Sequence, residues 1–422
     1  MTPVGVPARF LHASSRPSLP EPARADRRRL VAVATHPIQY QAPWFRALAL
    51  HPSLELHVLF AMLPDAAAQG VGFGRAFEWD VPLRVGYSSE ALDNAIGSPS
   101  LESYWGSSTP RVGRRLHDLR PDAVLLTGWQ QRPLVQALMA AHKQKLPVLM
   151  RGESNDLKKR SRIVRWLQRM LLSRCAACLP IGLANAQFYR RRGVSDDQLF
   201  SCPYFVDNER FARQARELES DRTSLRAGWQ IKSDAFCFLF AGKFIPKKRP
   251  ADLLIAADRL AGRDGRVHVL MTGSGPLVDD LRALAASGVV PVTFTGFLNQ
   301  TEIARAYVAA DSLVLPSDHG ETWGLVVNEA MACGRAAIVS NLVGCGDDLV
   351  HEGTTGERFP CSDIGSLVDQ MGRMAADRSH AAAMGRAARE LVSGEYNLER
   401  AVDGVVKAMA SLFYEQTSGA LS

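Results

Sequence analysis

Short apolar runs, each followed by an amphipathic stretch, recur in two series along this chain, and that alternation leaves few architectures open. The first series starts at Leu30-Val-Ala-Val-Ala34, followed by an amphipathic stretch from Pro43 to Leu50 and then by Leu54-Glu-Leu-His-Val-Leu59. It continues with Ala123-Val-Leu-Leu126, Val148-Leu-Met150 and Cys178-Leu-Pro-Ile181, each with a helical pattern behind it. The second series runs from Phe236-Cys-Phe-Leu-Phe240 through Val267-His-Val-Leu-Met271, Val292-Thr-Phe294 and Leu313-Val-Leu315 to Ala337-Ile-Val339. Runs this apolar suit strands buried on both faces, as in parallel sheets covered by helices. The expected fold class is α/β, with two doubly wound Rossmann-like domains. In such sheets ligands bind at the carboxyl ends of the strands, so two domains naturally share a cleft.

The 422 residues are enough for two domains, each with its own core. The expected division is a disordered leader over 1–29, an N-terminal domain over 30–210, a charged linker region over 211–228, a C-terminal domain over 229–395 and a last helical segment over 396–422. The leader holds five prolines within its first 22 positions, ends in Arg27-Arg-Arg29 and has no continuous apolar core of the kind a signal peptide needs. Residues 62–110 are rich in Gly, Ser and Pro with scattered aromatics, and a long irregular insertion of this kind is usually functional or mobile.

Seven cysteines, an odd number in no regular framework, argue for a reducing compartment. Cys175-Ala-Ala-Cys178 reads as small apolar residues on a buried strand, because no second pair or His-rich partner accompanies it. No run of 18 apolar residues occurs, so a cytoplasmic protein is expected. The net charge of +7 fits phosphate ligands or an anionic membrane, and no nucleic-acid partner is expected.

The chemistry concentrates in Ser317-Asp-His-Gly-Glu-Thr-Trp-Gly-Leu-Val-Val-Asn-Glu-Ala-Met-Ala-Cys-Gly334. Glu321 falls on a strand-to-helix loop and Glu329 about two turns into the helix. Eight residues at about 1.5 Å rise put their carboxylates roughly 12 Å apart at most. Paired carboxylates that cleave one glycosidic bond sit closer, roughly 5 to 9.5 Å, so these two suit opposite ends of one long polar ligand. Gly324 opens the helix without a side chain, where free N–H groups and the dipole favour an anion. Hydroxyls at both ends and phosphates between them describe a nucleotide-sugar. Lys243 and Lys248 supply cations for a departing diphosphate, and the chain has no Asp-x-Asp pair of the metal-binding kind, so no metal is expected.

These segments resemble the retaining nucleotide-sugar glycosyltransferases of GT-B fold, glycosyltransferase family 4 (glycosyl transferases group 1), which carry a Glu-x7-Glu signature. Phe240-Ala-Gly-Lys-Phe-Ile-Pro-Lys-Lys-Arg-Pro250 is similar to the family's basic loop, with Lys243 where an arginine is usual and Lys248 on the usual lysine. Met271-Thr-Gly-Ser-Gly-Pro276, Phe294-Thr-Gly-Phe-Leu298 and Val343-Gly-Cys-Gly-Asp-Asp-Leu-Val350 match its nucleotide-side loops and the segment after the signature helix. In the N-terminal half, Thr35–Phe45 and Pro203–Asn208 look like segments of bacterial members, but the first loop lacks the glycine pair common in the family.

The resemblance implies that Glu321 grips the donor sugar and that Glu329 binds ribose hydroxyls. It further implies that Gly324, Leu325, Gly273, Gly275, Phe297, Leu298, Gly344 and Gly346 line the donor site, and that the last helical segment packs back on the N-terminal domain. The implied reaction passes a hexose-like sugar to an acceptor hydroxyl with retention, in cell-envelope or exported polysaccharide assembly. Many members place a histidine after a central strand where this chain has Leu149-Met-Arg-Gly-Glu-Ser-Asn155. Arg151 and Glu153, with His36 and Gln39 in the first loop, are therefore the acceptor-side candidates. Two rivals stay open on the same fold: an epimerase or phosphorylase, and a non-catalytic nucleotide-sugar-binding partner of another transferase.

Residues 157–174 carry Lys158, Arg162, Arg165 and Arg169 at helical spacing, opposite Ile163, Trp166, Met170 and Leu171. Such a helix either packs its apolar stripe on the sheet or lies on an anionic membrane that presents a lipid-linked acceptor.

Overall fold

The computed structural model describes residues 27–262 and 266–418, and side chains as far as residue 413. The first half runs β1 (Arg28–Ala34), α1 (Ala42–Leu50), β2 (Leu54–Phe60), α2 (Ala66–Gln69), β3 (Ser88–Ala91) and α3 (Val112–Leu119). It continues with β4 (Ala123–Leu126), α4 (Arg132–Lys143), β5 (Val148–Met150), α5 (Arg162–Leu172), β6 (Ala177–Cys178) and α6 (Leu183–Arg191). After α7 (Asn208–Glu219) and α8 (Arg222–Gly228) come β7 (Phe236–Ala241), α9 (Pro250–Ala261), β8 (Val267–Thr272), α10 (Val278–Ser287) and β9 (Val292–Gly296). Then follow α11 (Ile303–Ala309), β10 (Ser312–Leu315), α12 (Leu325–Ala332), β11 (Ala336–Ser340), α13 (Gly346–Leu349) and β12 (Gly356–Phe359). Three helices close the chain: α14 (Ile364–Ala376), α15 (Arg378–Gly394) and α16 (Leu398–Ser418).

The strands form two six-stranded sheets, ordered β3-β2-β1-β4-β5-β6 and β12-β11-β10-β7-β8-β9. The ladders within both are parallel. Each sheet reverses its order at one point, between β1 and β4 and between β7 and β10, which is where open α/β sheets place their ligands. Strand residues alternate between two buried faces. Leu30, Ala32, Ala34, Val58 and Phe60 face one core of the first sheet, and Val31, Val33, Val124 and Leu126 the other. Phe236, Phe238 and Phe240 face one core of the second sheet, and Cys237, Leu239 and Ala241 the opposite one.

The C-terminal helix crosses back to the first sheet. Ala401, Val405, Ala408 and Met409 of α16 join the core around Trp44 and Phe45, and the Trp44 indole donates to the Ala401 carbonyl at 3.3 Å.

Four details depart from the sequence expectations. Arg28 and Arg29 are not leader but the start of β1, where Arg28 pairs in register with Leu54; the rest of the expected leader, 1–26, lies outside the described residues. Of Cys178–Ile181 only Cys178 is in strand, and β6 ends there. The charged stretch 211–228, expected as a linker region, is helical and packed. It lies largely within α7 and α8, whose Phe211 and Ala215 sit in the second sheet's core, and two of its arginines are anchors: Arg222 and Arg226 both pair with Asp311, at 2.7 and 3.2 Å, while Arg213 and Arg216 are exposed. Finally, residues 62–110 contain the edge strand β3, whose sequence Ser-Ser-Glu-Ala carries no apolar alternation.

Candidate active site in the interdomain cleft

Loops that follow β7, β8, β9 and β10 meet loops from the first domain around a cavity of about 570 Å³. Its walls include His36, Gln39 and Tyr40 after β1, Gly242, Lys243 and Lys248 after β7, Gly273 after β8, Phe297 and Leu298 after β9, and Glu321 and Glu329. The cavity thus lies at the strand-order reversal of both sheets, and a volume of this size suits a single small-molecule ligand.

Lys248 ends the 3-10 turn Pro246–Lys248, and its Nζ pairs with Glu321 Oε2; the two side chains are only 14% and 13% exposed. Ser317 Oγ donates to the same oxygen of Glu321 at 3.3 Å. Among the described residues no carboxylate pairs with Lys243. Its Nζ donates to the Val71 carbonyl at 2.7 Å and sits 4.9 Å from the centre of the Phe73 ring. Burial first, then Lys247 and Lys248, push the Lys243 ammonium below its ordinary range. Three crowded cations with one carboxylate among them make a pocket electrostatically suited to an anion.

Gly324 stands at φ 104 as the N-cap of α12, and a Cβ there would come within 2.9 Å of Leu315 Cδ2. Glycine therefore lets the turn close against the strand while the first two helical amides, Leu325 and Val326, precede the first bond of the helix end, Val327 N–H to the Gly324 carbonyl at 2.8 Å. Gly273, at φ 134, is required by the close approach of two loops, since its Cβ would lie 1.9 Å from the Gly242 carbonyl oxygen. Gly275 is as constrained, packed on the Phe244 backbone. Gly344 supports the Glu321 turn from behind: its N–H donates to the Glu321 carbonyl at 3.1 Å, and a Cβ would strike the Thr322 carbonyl. Gly346 begins α13, and neither it nor Gly344 lines the cavity.

Glu329 is buried at 2% exposure and accepts from two phenols, Tyr40 OH at 3.0 Å and Tyr307 OH at 2.6 Å. Desolvation pushes its carboxyl up, while the two phenols and Arg210 oppose the shift. Tyr40 comes from the first domain, so this bond crosses the cleft. Two donors leave further acceptor positions on a carboxylate, which offers about four.

The acceptor-side candidates divide. His36 and Gln39 line the cavity. Burial, then the nearby Lys243, lower the His36 pKa to about 4, so its imidazole is neutral at pH 7, with Nδ1 2.9 Å from Thr35 Oγ1. Glu153 lines a smaller adjoining pocket with Glu321 and Lys248, accepting from Tyr204 OH at 2.5 Å and Thr322 Oγ1 at 2.9 Å. Arg151 lies behind this layer. Its guanidinium is buried over the rings of Trp44 and Tyr204, 4.6 and 4.8 Å from their centres, and its Nε donates to Cys202 Sγ. It holds Tyr204, which holds Glu153.

Sequence reasoning missed Tyr40, Tyr204 and Tyr307, which fix the orientation of Glu329 and Glu153. Tyr40 and Tyr204 left a signal, since they fall within the segments Thr35–Phe45 and Pro203–Asn208, whereas Tyr307 left none. It also missed the aromatic group Phe73, Phe77 and Trp79, which packs on Phe297.

Two Rossmann-like domains facing each other across a cleft define the GT-B class. Comparisons agree: residues 221–391 match the family described as Glycosyl transferases group 1. It is 33% identical over 244 residues to D-inositol 3-phosphate glycosyltransferase of Geodermatophilus obscurus, covering 54% of this chain and 50% of the relative. It is 31% identical over 184 residues to phosphatidyl-myo-inositol mannosyltransferase of Mycolicibacterium smegmatis, covering 43% and 45%. The matches thus span about half the length of these curated relatives. Among solved structures, Anabaena HepE in complex with UDP-glucose superposes with a TM-score of 0.68 at 15% identity, over 91% of this chain and all of that one. Sucrose-phosphate synthase from Thermosynechococcus elongatus gives 0.68 at 18% identity, over 92% and 100%. At these identities the superpositions speak for the fold.

Proposed function

We propose that this chain transfers a sugar from a nucleotide-sugar to an acceptor hydroxyl with retention at the anomeric carbon, in cell-envelope or exported polysaccharide assembly. The observation that carries the reading is the Lys248–Glu321 pair beside Lys243, at the strand-order reversal and next to the open end of α12. In this reading Glu321 holds the sugar, Lys243 and Lys248 take the diphosphate, and Glu329 takes the ribose. The Leu325 turn meets the sugar–phosphate junction with backbone N–H groups. The acceptor oxygen forms a bond to the anomeric carbon as the bond from that carbon to the phosphate oxygen breaks. The acceptor proton passes to the departing phosphate oxygen on the same face, and nucleoside diphosphate leaves. The lysines stabilise the charge that grows on that oxygen, and a closed cleft supplies orientation and excludes water. His36, Gln39 and Glu153 are the groups placed to meet the acceptor, with Arg151 positioning Glu153 through Tyr204. No metal enters this scheme.

The test is a thermal-shift panel of UDP-, GDP- and ADP-sugars. A true donor raises the melting temperature because it binds only the native state. Nucleoside diphosphate should then be released only when an acceptor is added. Release without an acceptor, or interconversion of the sugar, would point to the phosphorylase or epimerase reading, and binding without turnover to a non-catalytic role.

The acceptor side of the proposal rests on α5. The expectation that its apolar stripe packs on the sheet is met only at its C-terminal end, where Leu171 packs beside the buried Leu172 on the first domain's core; Ile163 is 71% exposed, Trp166 57% and Leu167 49%, alongside the exposed Arg162, Arg165 and Arg169. A helix that shows water both its basic and its apolar side chains suits an anionic lipid surface, where each basic residue contributes about 1 kcal/mol. We infer a cytoplasmic enzyme that touches the membrane peripherally and takes a lipid-linked acceptor. The name of the mycobacterial relative, which specifies phosphatidyl-myo-inositol, supports that chemistry. Among the described residues no helix is long and apolar enough to cross a membrane. Replacing Lys158, Arg162 and Arg165 with glutamate should abolish sedimentation with anionic vesicles at low salt while leaving the thermal shift by donor nucleotide unchanged. A wild-type protein that ignores such vesicles would rule out the membrane role.

A further inference from the structure

Residues 66–80, between β2 and β3, leave the first domain and settle on the second. The segment starts with the short helix α2, whose N-cap Asp65 accepts from Ala68 N at 2.8 Å. Beyond it the chain reaches the loop after β9 and is fastened there in three ways. Phe77, buried between exposed neighbours, packs its ring 4.4 Å from that of Phe297, with Phe73 and Trp79 at 5.4 and 4.9 Å from Phe77. Asn299 Nδ2 donates to the Glu78 carbonyl at 2.7 Å. Asp80 accepts from the Thr301 backbone N–H at 3.1 Å and from the Thr301 hydroxyl. A fourth contact falls on the cationic pocket, where Lys243 donates to the Val71 carbonyl. Gly72, at φ 82, makes this approach possible: a Cβ there would sit 3.0 Å from Lys243 Cδ.

The strap therefore does not merely lie beside the site. Gln69, Val71, Phe73 and Trp79 form a wall of the same cavity that Lys243, Phe297 and Leu298 line from the other side. A ligand filling that cavity touches both domains at once.

We propose that residues 66–80 are a nucleoside-binding element lent by the first domain, held in place by the Phe77–Phe297 contact and the Asp80–Thr301 bonds. When a nucleoside diphosphate enters, Lys243 exchanges the Val71 carbonyl for a phosphate oxygen. This rests on the donor-site reading above and adds to it a second wall for the nucleoside. The exchange is favoured because the ammonium, which meets only a carbonyl dipole on Val71, gains the attraction of a full opposite charge on a phosphate oxygen. Strap and phosphate thus compete for Lys243, while strap and nucleoside cooperate. Loosening the strap should consequently act with opposite sign on the two halves of the ligand.

Phe77→Ala and, separately, Asp80→Ala in the full chain test this. Neither residue lines the cavity, and Asp80 is exposed, so the second variant should leave the fold intact. UDP, GDP and ADP are titrated by calorimetry to find the one the wild type binds, and inorganic pyrophosphate is titrated alongside. In both variants, affinity for that nucleotide should fall at least tenfold, pyrophosphate should bind equally well or more tightly, and tryptic cleavage after the exposed Arg75 should speed up in the ligand-free protein. Unchanged nucleotide affinity in either variant, with or without faster cleavage at Arg75, overturns the proposal and leaves the strap a structural contact. A parallel loss of nucleotide and pyrophosphate binding also overturns it, since the strap would then be supporting the phosphate pocket. If the wild type binds none of the three nucleotides, the donor-site reading itself fails, a result distinct from a wild type that binds and variants that bind equally well.

Discussion

Replacing Glu321 with alanine is expected to lower turnover by at least roughly a hundredfold while the protein still folds and still binds nucleoside diphosphate. The geometry separates these two effects. Glu321 lies on the β10–α12 loop and shares its carboxylate between Ser317 and Lys248. Removing it frees the Lys248 ammonium, and a freed cation binds a diphosphate at least as well as a paired one. What disappears is the grip on the sugar, and with it the alignment of the anomeric carbon, so the loss falls on kcat with donor. Glu321→Gln, which keeps the shape but not the charge, should recover only part of it. Near-normal turnover in the alanine variant would end the assignment of Glu321 to the sugar.

The second large effect concerns how the leaving group is neutralised. Activity should survive exhaustive chelation, whereas Lys248→Ala should be close to inactive. The chain has no Asp-x-Asp pair, and Lys243 and Lys248 stand together in the cavity. Lys248→Ala also leaves Glu321 without its cation in a place that is largely buried, so Lys248→Arg is the needed companion: it restores the charge, and with it most of the activity if charge is what matters. Activity lost on chelation and regained with magnesium or manganese would mean that a metal, and not the lysine pair, neutralises the departing diphosphate.

Much of the fold could be read in advance because its strands are buried on both faces, and a continuous apolar run as short as Phe236–Phe240 suits little besides a strand covered on both sides. Ser88–Ala91 could not be read: it is an edge strand, pairs only with β2 and needs no apolar side chains. The 211–228 stretch was misleading for the opposite reason. Arg222 and Arg226 look like solvent-facing charges in a sequence, whereas their partner Asp311 lies more than 80 positions away and the three close an interior network. At the site, the loops carrying Lys243, Glu321 and Gly324 were legible because backbone geometry demands glycine and local spacing sets the order. The tyrosines were not. Nothing near Tyr40 announces a carboxylate 289 positions later. The periodicity of 162–171 likewise shows an amphipathic helix without showing whether anything covers its apolar side.

The return of α16 to the first sheet has a consequence for how this chain comes into being. The face of that sheet formed by Leu30, Ala32 and Leu125 is covered partly by Ala401, Val405 and Ala408, so the ribosome delivers the floor long before the roof. From the end of β6 at Cys178 to the start of α16 at Leu398 lie roughly 220 residues, which at about 5–20 residues per second take on the order of ten to forty seconds to make. For that interval the nascent first domain carries an uncovered apolar face while the second domain, whose strands and helices are nearly contiguous in sequence, can complete itself. The half of the protein synthesised first is therefore the half finished last, and a ribosome stalled between the two domains would hold an unroofed sheet.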